Sequence, residues 1–378
     1  MPNHENDFTR LELSLPNCLD NFRYFRSCLE PATRLLVLVK ANAYGHGAVE
    51  MAAMLQQAGA DYLAVALPVE GIELREAGIS LPILVLTAGT DFFDEIIEKR
   101  LEPGIPNLYT LQRLCETLRE KGLRDYPVHI KLDTGMHRLG FVPEEIPALA
   151  AFLKDCPEVR VRSVYSHLAA ADDPGEDAYT MRQISLFTEG ASKIDQAVGY
   201  HPMWHILNSA GIERFSAYQF DMVRLGIGIY GIDPVEYPEH QVVRRGLKPV
   251  ASLKVKILQI KTLQADGSTI GYGRHGIIAP EGTVIATIPA GYADGLDRHL
   301  GQGHASFLLN GHRVPTIGNI CMDMCMLDIT GVEAKVGDTV TIFGEDPTLT
   351  EMASILDTIP YEIMTRVPRR IRRVIIRK

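Results

Sequence analysis

Lys40 closes a run of five apolar residues, Leu35 to Val39, and opens the string Ala41-Asn42-Ala43-Tyr44-Gly45-His46-Gly47. A short continuous apolar run reads as a buried strand, so the lysine stands at a strand's carboxyl end, where α/β proteins present side chains to ligands. An amine leaving such a strand is partly desolvated, which lowers its pKa and frees it to condense with an aldehyde. Taken alone, Lys40 reads rather as a lysine that caps a strand and snorkels to water. Other polar residues recur at the same place relative to apolar runs. Lys131 and Asp133 end one in His129-Ile-Lys-Leu-Asp133, His167 ends another in Val164-Tyr-Ser-His167, Ser209 follows Trp204–Leu207, and Arg224 lies within Val223-Arg-Leu-Gly-Ile227. Singly these are a core histidine, a salt-bridged arginine and a helix N-cap. Together they converge on one mouth, which favours chemistry.

An anionic phosphate needs backbone N–H donors, hydroxyls and a helix N-terminus. Asn208-Ser209-Ala210-Gly211 and Gly226-Ile227 supply these at the last two runs, and Tyr44 adds a phenol. No Walker motif or dinucleotide fingerprint is visible, so an aldehyde cofactor held by its phosphate suits the site better than a nucleotide.

These residues need a scaffold that brings strand ends together. Apolar runs at Leu35–Lys40, Tyr62–Ala66, Ile83–Leu86, Leu101–Ile105, Val128–Leu132, Val161–Tyr165, Trp204–Leu207 and Met222–Tyr230 alternate with helical patterns, predicting a (β/α)₈ barrel. A doubly wound sheet gives a similar alternation. From Val250 strands prevail, at Val250–Ile260, Thr283–Ile288, Ser306–Pro315 and Asp338–Phe343, with Asn310-Gly311 as a hairpin turn and one helix at Glu351–Leu356. The fold class is therefore α/β plus β: a barrel over 9–240, a linker near Asp233–His240, and a mainly β domain over 241–378. The alternating Thr9–Leu15, a strand followed by a helix over Cys18–Leu29, is expected to join that second domain.

The chain has 378 residues, with 47 acidic against 38 basic, a net charge of -9. That size suggests two domains, and that charge repels nucleic acid and anionic membranes, so a small-molecule role follows, without nucleic-acid or membrane partners. No apolar run reaches the roughly 20 residues of a membrane span, and 1–10 is polar, so the expected location is cytoplasmic. The six cysteines follow no framework and read as reduced; Cys321 and Cys325 sit in a mostly apolar segment, a strand beside a pocket rather than a metal pair.

The string Val39-Lys40-Ala-Asn-Ala-Tyr44-Gly-His-Gly47 resembles the pyridoxal phosphate lysine motif of bacterial alanine racemases. The resemblance runs through Asp133-Thr-Gly-Met-His-Arg138, Tyr272-Gly273, Ile288-Pro-Ala-Gly-Tyr-Ala-Asp-Gly295 and Cys321-Met322-Asp323. It implies a pyridoxal phosphate enzyme that interconverts L- and D-alanine for peptidoglycan, as a head-to-tail homodimer with shared sites. Racemisation needs a base on each face of a planar carbanion. The resemblance makes Lys40 the cofactor lysine and the base for D-alanine, and Tyr272 of the other subunit the base for L-alanine; from the residues alone, Tyr272 is a hairpin aromatic. It also puts Arg138 and the Met322 backbone on the substrate carboxylate, makes Lys131 a carbamylated lysine that orients Arg138, joins His167 and Arg224 to Tyr272 in a relay, and sets Arg224 against the cofactor's pyridine nitrogen. Asp323 belongs to the same supporting set. Alternatives are a serine or broad-specificity racemase of the family, a decarboxylase of related fold, or a non-catalytic cofactor-binding barrel. Two departures stand out. His137 takes the place of a small or amide residue, and Thr365 or Arg369 stands where relatives carry a phosphate-contacting tyrosine near Arg-Val-Pro-Arg.

Overall fold

Leu11 and Leu13 point to one side of strand β1, Thr9–Ser14, and both are buried. Ser14 then caps the helix Leu15–Ser27, its hydroxyl accepting from the Asn17 N–H at 3.3 Å, so Leu15 opens a helix instead of closing the strand. The structure, a computed structural model, describes residues 8–235 and 246–377. The expected linker beyond Val235 and the boundary at 240/241 lie outside the described residues.

Eight short parallel strands follow: β2 (Arg34–Leu38), β3 (Tyr62–Val65), β4 (Ile83–Val85), β5 (Glu102–Ile105), β6 (Tyr126–Lys131), β7 (Val159–Tyr165), β8 (Met203–His205) and β9 (Met222–Leu225). They pair in the order β8-β7-β6-β5-β4-β3-β2-β9. Backbone bonds from the Asp221 N–H to Trp204 C=O (3.2 Å) and from the Arg224 N–H to Leu207 C=O (3.0 Å) bridge the seam between β8 and β9. The result is a nearly closed (β/α)₈ barrel. Its strands are buried on both faces, which is why they read as continuous apolar runs rather than alternating ones. The surrounding helices bury one stripe each; Leu108–Glu120 turns Leu111, Leu114, Cys115 and Leu118 inward at helical spacing. The last barrel strand is shorter than expected. It stops at Leu225 because Gly226 takes a backbone conformation (φ -111°, ψ -107°) that turns the chain into a 3₁₀ segment over Ile227–Tyr230.

The second part is mostly β: β10 (Ala251–Lys256), β11 (Gln259–Leu263), β12 (Thr283–Ile288), β13 (Ser306–Leu309), β14 (His312–Pro315), β15 (Cys325–Asp328), β16 (Thr339–Phe343) and β17 (Arg372–Ile376). One sheet runs β14-β13-β16-β10-β1-β17 and a smaller one β11-β12-β15. The chain's first strand therefore sits between β10 and β17, with Leu11 opposite Leu253. Asn310 (φ 49°) and Gly311 (φ 82°) form the expected tight turn between β13 and β14. The run Val250–Ile260 splits into two strands belonging to different sheets. The helix expected at Glu351–Leu356 is Leu349–Ile355, capped by Thr348. A further helix, Pro360–Arg366, was not anticipated.

Among the described residues no helix is long and apolar enough to cross a membrane. All six cysteines are free thiols. Cys321 and Cys325 join no cluster of metal-ligating groups among the described residues; Cys115, Cys156 and Glu158 do.

Candidate active site

A cavity of about 510 Å³ opens at the carboxyl ends of the barrel strands. Lys40 enters it directly after β2. The next four residues, Ala41 to Tyr44, all adopt left-handed backbone angles (φ 51 to 55°). For non-glycine residues this conformation costs on the order of 1 to 2 kcal/mol each, so the surroundings must hold it. They do so at several points. The Glu70 carboxylate accepts from the N–H groups of Ala41 (2.5 Å), Ala66 (2.8 Å) and Leu67 (3.0 Å), the Asn42 side chain accepts from the Ala48 N–H (2.9 Å), and Arg373 donates to the Gly45 carbonyl (2.8 and 3.0 Å). The tight left-handed turn lets Lys40 and Tyr44 both face the cavity, with the Lys40 amine 6.0 Å from the Tyr44 ring centre.

Lys40, Lys131, Arg138 and Arg224 line this space together with one carboxylate, Asp172. In a protein of net charge -9, the cavity is locally cationic. Burial lowers the Lys40 pKa below its ordinary value and Arg138 adds to the effect, opposed by Glu70. Burial, then Arg138 and Arg224, pull Lys131 down to about 8. Arg224 is buried and donates to five acceptors: the carbonyls of Ser166 (2.5 Å), Ile206 (2.9 Å) and His205 (3.1 Å), and the Nδ1 atoms of His205 (3.0 Å) and His167 (3.2 Å). Burial brings it to about 10, still cationic at neutral pH. His167 lies among these cations, and burial followed by Arg224 holds its ring neutral, well below the usual histidine value. Asp133 turns the loop that carries Arg138 by accepting from the N–H groups of Gly135 and His137, both at 3.0 Å. His137 has φ 51°, which explains why small or amide residues suit this position, and its exposed ring reaches back to Asp133 at 3.3 Å.

After the neighbouring strands β8 and β9, the Ser209 hydroxyl accepts from the Gly226 N–H at 2.9 Å, and Ile227 lines the cavity beside it. A Cβ on Gly226 would stand 3.2 Å from the Tyr44 hydroxyl and 3.7 Å from Ser209 Oγ. The hydrogen side chain of glycine thus keeps open a space rimmed by two hydroxyls. A partly desolvated amine, this hydroxyl-rimmed space and several cations lining one cavity fit an aldehyde that carries a phosphate.

Nine of the sequence-derived candidates meet here: Lys40, Tyr44, Lys131, Arg138, His167, Ser209, Arg224, Gly226 and Ile227. Four do not line the cavity. The Gly211 N–H is taken by the Asn208 side chain at 2.9 Å, which caps the helix Ser209–Arg214, so Gly211 serves the cap and not a ligand. Tyr272, Met322 and Asp323 lie in the β-rich part. Tyr272 is 73 % exposed on a turn between Gly271 and Gly273, with its carbonyl held by the Asn319 side chain at 2.8 Å. Met322 is also exposed, and Asp323 pairs with Arg370 at 2.8 Å.

Sequence reasoning missed Tyr361, among the described residues the one from the β-rich part that lines the cavity, its ring centre 5.9 Å from that of Tyr44. Thr365 instead bonds back to the carbonyls of Tyr361 and Glu362 within its own helix, and Arg369 is exposed and pairs with Glu73. Neither reaches the cavity. Tyr361 stands one helical turn before Thr365, so the signal lay in helical spacing rather than in adjacency to Arg-Val-Pro-Arg. Tyr165, another missed lining residue, stacks on His205 with ring centres 5.2 Å apart.

Comparison with known proteins identifies the family. Residues 13–234 match the alanine racemase N-terminal domain family and residues 250–375 the alanine racemase C-terminal domain family. A curated alanine racemase of Synechocystis sp. is 39% identical over 373 residues, covering 97% of this chain and 98% of the relative. A solved structure of alanine racemase from Clostridium difficile 630 superposes with a TM-score of 0.91 at 35% identity, over 98% of this chain and 96% of that one. An alanine racemase from Bartonella henselae, solved with covalently bound pyridoxal phosphate, gives 0.87 at 27% identity, over 98% and 100%. Matched along nearly its whole length in sequence and in structure, the chain belongs to the alanine racemase family.

Proposed function

We infer that this chain is a pyridoxal phosphate enzyme that interconverts L- and D-alanine. The observation that carries the reading is the strand-end cavity that a lysine amine of lowered proton affinity shares with two hydroxyls and three further cations, Lys131, Arg138 and Arg224. When bound, pyridoxal phosphate supplies a conjugated aldehyde that draws electron density from a substrate's Cα–H bond. Lys40 would hold its aldehyde carbon, Tyr44, Ser209, Gly226 and Ile227 its phosphate, and Arg224 its ring nitrogen. A permanently cationic guanidinium keeps that nitrogen unprotonated, which weakens the electron sink and limits side reactions.

Lys40 then serves as the base toward D-alanine, its lowered pKa making the Nζ atom readier to give up its own proton and act as a base. Arg138 takes the substrate carboxylate together with the Met322 backbone, and Lys131, carbamylated, orients Arg138. Tyr272 is the base for L-alanine and acts on the cavity of a second copy, through a relay with His167 and Arg224; Asp323 supports this loop. The large exposed side chains of Tyr272, Ile277, Tyr292, Met322 and Met324 in the β-rich part support such an association. The reading extends to a cytoplasmic homodimer that supplies D-alanine for peptidoglycan, on the family likeness.

The test is to incubate the purified protein and pyridoxal phosphate with L-alanine or L-serine and follow the D-isomers by chiral separation. Borohydride-trapped protein from the same batch is mapped for the modified lysine. Rapid alanine conversion with the label on Lys40 is expected. Label on Lys40 without racemisation refutes the activity, and a label elsewhere refutes the anchor.

A further inference from the structure

Five buried or half-buried polar residues stand inside the barrel on five successive strands: Glu102 on β5, His129 on β6, Ser163 on β7, His205 on β8 and Arg224 on β9. Each touches the next. Glu102 Oε2 lies 2.8 Å from His129 Nε2, His129 Nδ1 lies 2.6 Å from Ser163 Oγ, Ser163 Oγ lies 2.8 Å from His205 Nε2, and His205 Nδ1 lies 3.0 Å from an Arg224 terminal nitrogen. Barrel interiors are ordinarily filled by branched apolar side chains, and four polar groups with almost no solvent contact are tolerated only when every donor finds an acceptor.

The two ends dictate the direction of every bond. A guanidinium only donates, so His205 Nδ1 accepts from Arg224 and the His205 proton sits on Nε2. That Nε2–H donates to Ser163 Oγ, which leaves the serine hydrogen for His129 Nδ1. The His129 proton is then on Nε2 and donates to the Glu102 carboxylate. A doubly protonated His129 would donate at both nitrogens, and the Ser163 hydroxyl hydrogen would lose its acceptor. The far end is held as an anion: Glu102 also accepts from the Tyr62 hydroxyl at 3.3 Å, which in turn accepts from Arg162 Nε at 3.0 Å. The acceptors that Arg224 meets are all neutral.

We propose that Glu102, His129, Ser163 and His205 form a one-directional hydrogen-bond chain in which Glu102 is the remote counter-charge of Arg224, fixing the place and charge of that guanidinium at the cavity. These four are positioning residues that act through Arg224. A His205 ring with its proton on Nδ1 would face an Arg224 N–H donor to donor and push the guanidinium away. The catalytic consequence rests on the racemase reading above; the direction of the chain does not.

The test uses the cofactor-loaded enzyme labelled with ¹⁵N-histidine. Long-range ¹H–¹⁵N spectra, assigned by single histidine replacement, report which ring nitrogen carries the proton. Neutral rings with the proton on Nε2 are expected for both His129 and His205. Ser163→Ala interrupts the chain by removing one oxygen, and Glu102→Gln removes its charge. Each is expected to lower kcat on the order of 10-fold, the scale at which supporting partners tune a directly acting group, with the KM for alanine little changed; Ser163→Ala also lowers the melting temperature, because it leaves the buried His205 Nε2–H without an acceptor. A proton on Nδ1 of His205, a doubly protonated His129, or full kcat in both variants overturns the proposal. If the unmutated enzyme racemises nothing, the racemase reading fails, and the ring protons still decide the chain.

Discussion

Replacing Lys131 by methionine should stabilise the fold while removing function. Lys131 is 7 % exposed and lies beside Arg138 and Arg224, and burial together with these cations takes its pKa from 10.5 to about 8. Each tenfold change in proton affinity is worth about 1.4 kcal/mol, so carrying this charge in the folded state costs about 3 kcal/mol below pH 8. Methionine has a similar length and no charge, so Lys131→Met should exceed the unmutated chain by about 1 to 3 kcal/mol at pH 6. The sign follows from proton counting. Between pH 8 and 10.5 the unfolded chain holds the lysine proton that the folded chain has released, so the unmutated protein gains stability as pH rises and the difference closes. Urea unfolding at pH 6, 8 and 9.5, at matched protein concentration, measures this. The buffer is kept free of carbon dioxide, because carbamylation would exchange the cation for an anion. A Lys131→Met variant less stable at pH 6, or a difference that does not narrow with pH, would refute the electrostatic argument.

Tyr361→Phe removes a hydroxyl from the cavity wall beside Tyr44, and a lost hydrogen bond to a charged group costs about 1.5 to 3 kcal/mol. Equilibrium binding of pyridoxal phosphate should weaken on the order of 10-fold or more, whereas Thr365→Val should leave it unchanged. Gly45→Ala forces a side chain into φ 85° with its Cβ 2.2 Å from the Met364 carbonyl, so thermal unfolding should show a loss of about 3 kcal/mol or more. Lys40→Ala and Tyr272→Phe proteins should each be inactive alone. Unfolded and refolded together they should recover about a quarter of full activity, since half the dimers are mixed and each mixed dimer has one complete site. No recovery would show that Lys40 and Tyr272 do not act across two copies.

The order of strands and helices in the barrel could be read locally, because a buried parallel strand is continuously apolar and a covering helix repeats its apolar positions every three or four residues. Errors fell at ends. Leu15 looked like strand until Ser14 capped a helix, and Ile227–Tyr230 looked like strand until Gly226 turned the chain. Three of the cavity's cations, Lys40, Lys131 and Arg224, were legible because each ends or lies within an apolar run, whereas Arg138 came only from the family resemblance.

Other features depended on closure of the ring and on the second part folding back. Gly211 belonged to a phosphate-binding string in sequence, yet its N–H is spent on the Asn208 cap. Tyr361 arrives at the cavity only because helix Pro360–Arg366 packs on the left-handed turn at Gly45, a contact between residues more than 300 positions apart.

Sequence by itself determined the element types, the lysine at the strand end and the family motifs, because these rest on side-chain chemistry and on periods of two or 3.6 residues. Only the tertiary structure decided that Tyr272 lies outside its own chain's cavity and that Glu102 to Arg224 touch hand to hand across five strands. Such neighbours are set by strand stagger and by the closing of the barrel, and no local period along the chain encodes those.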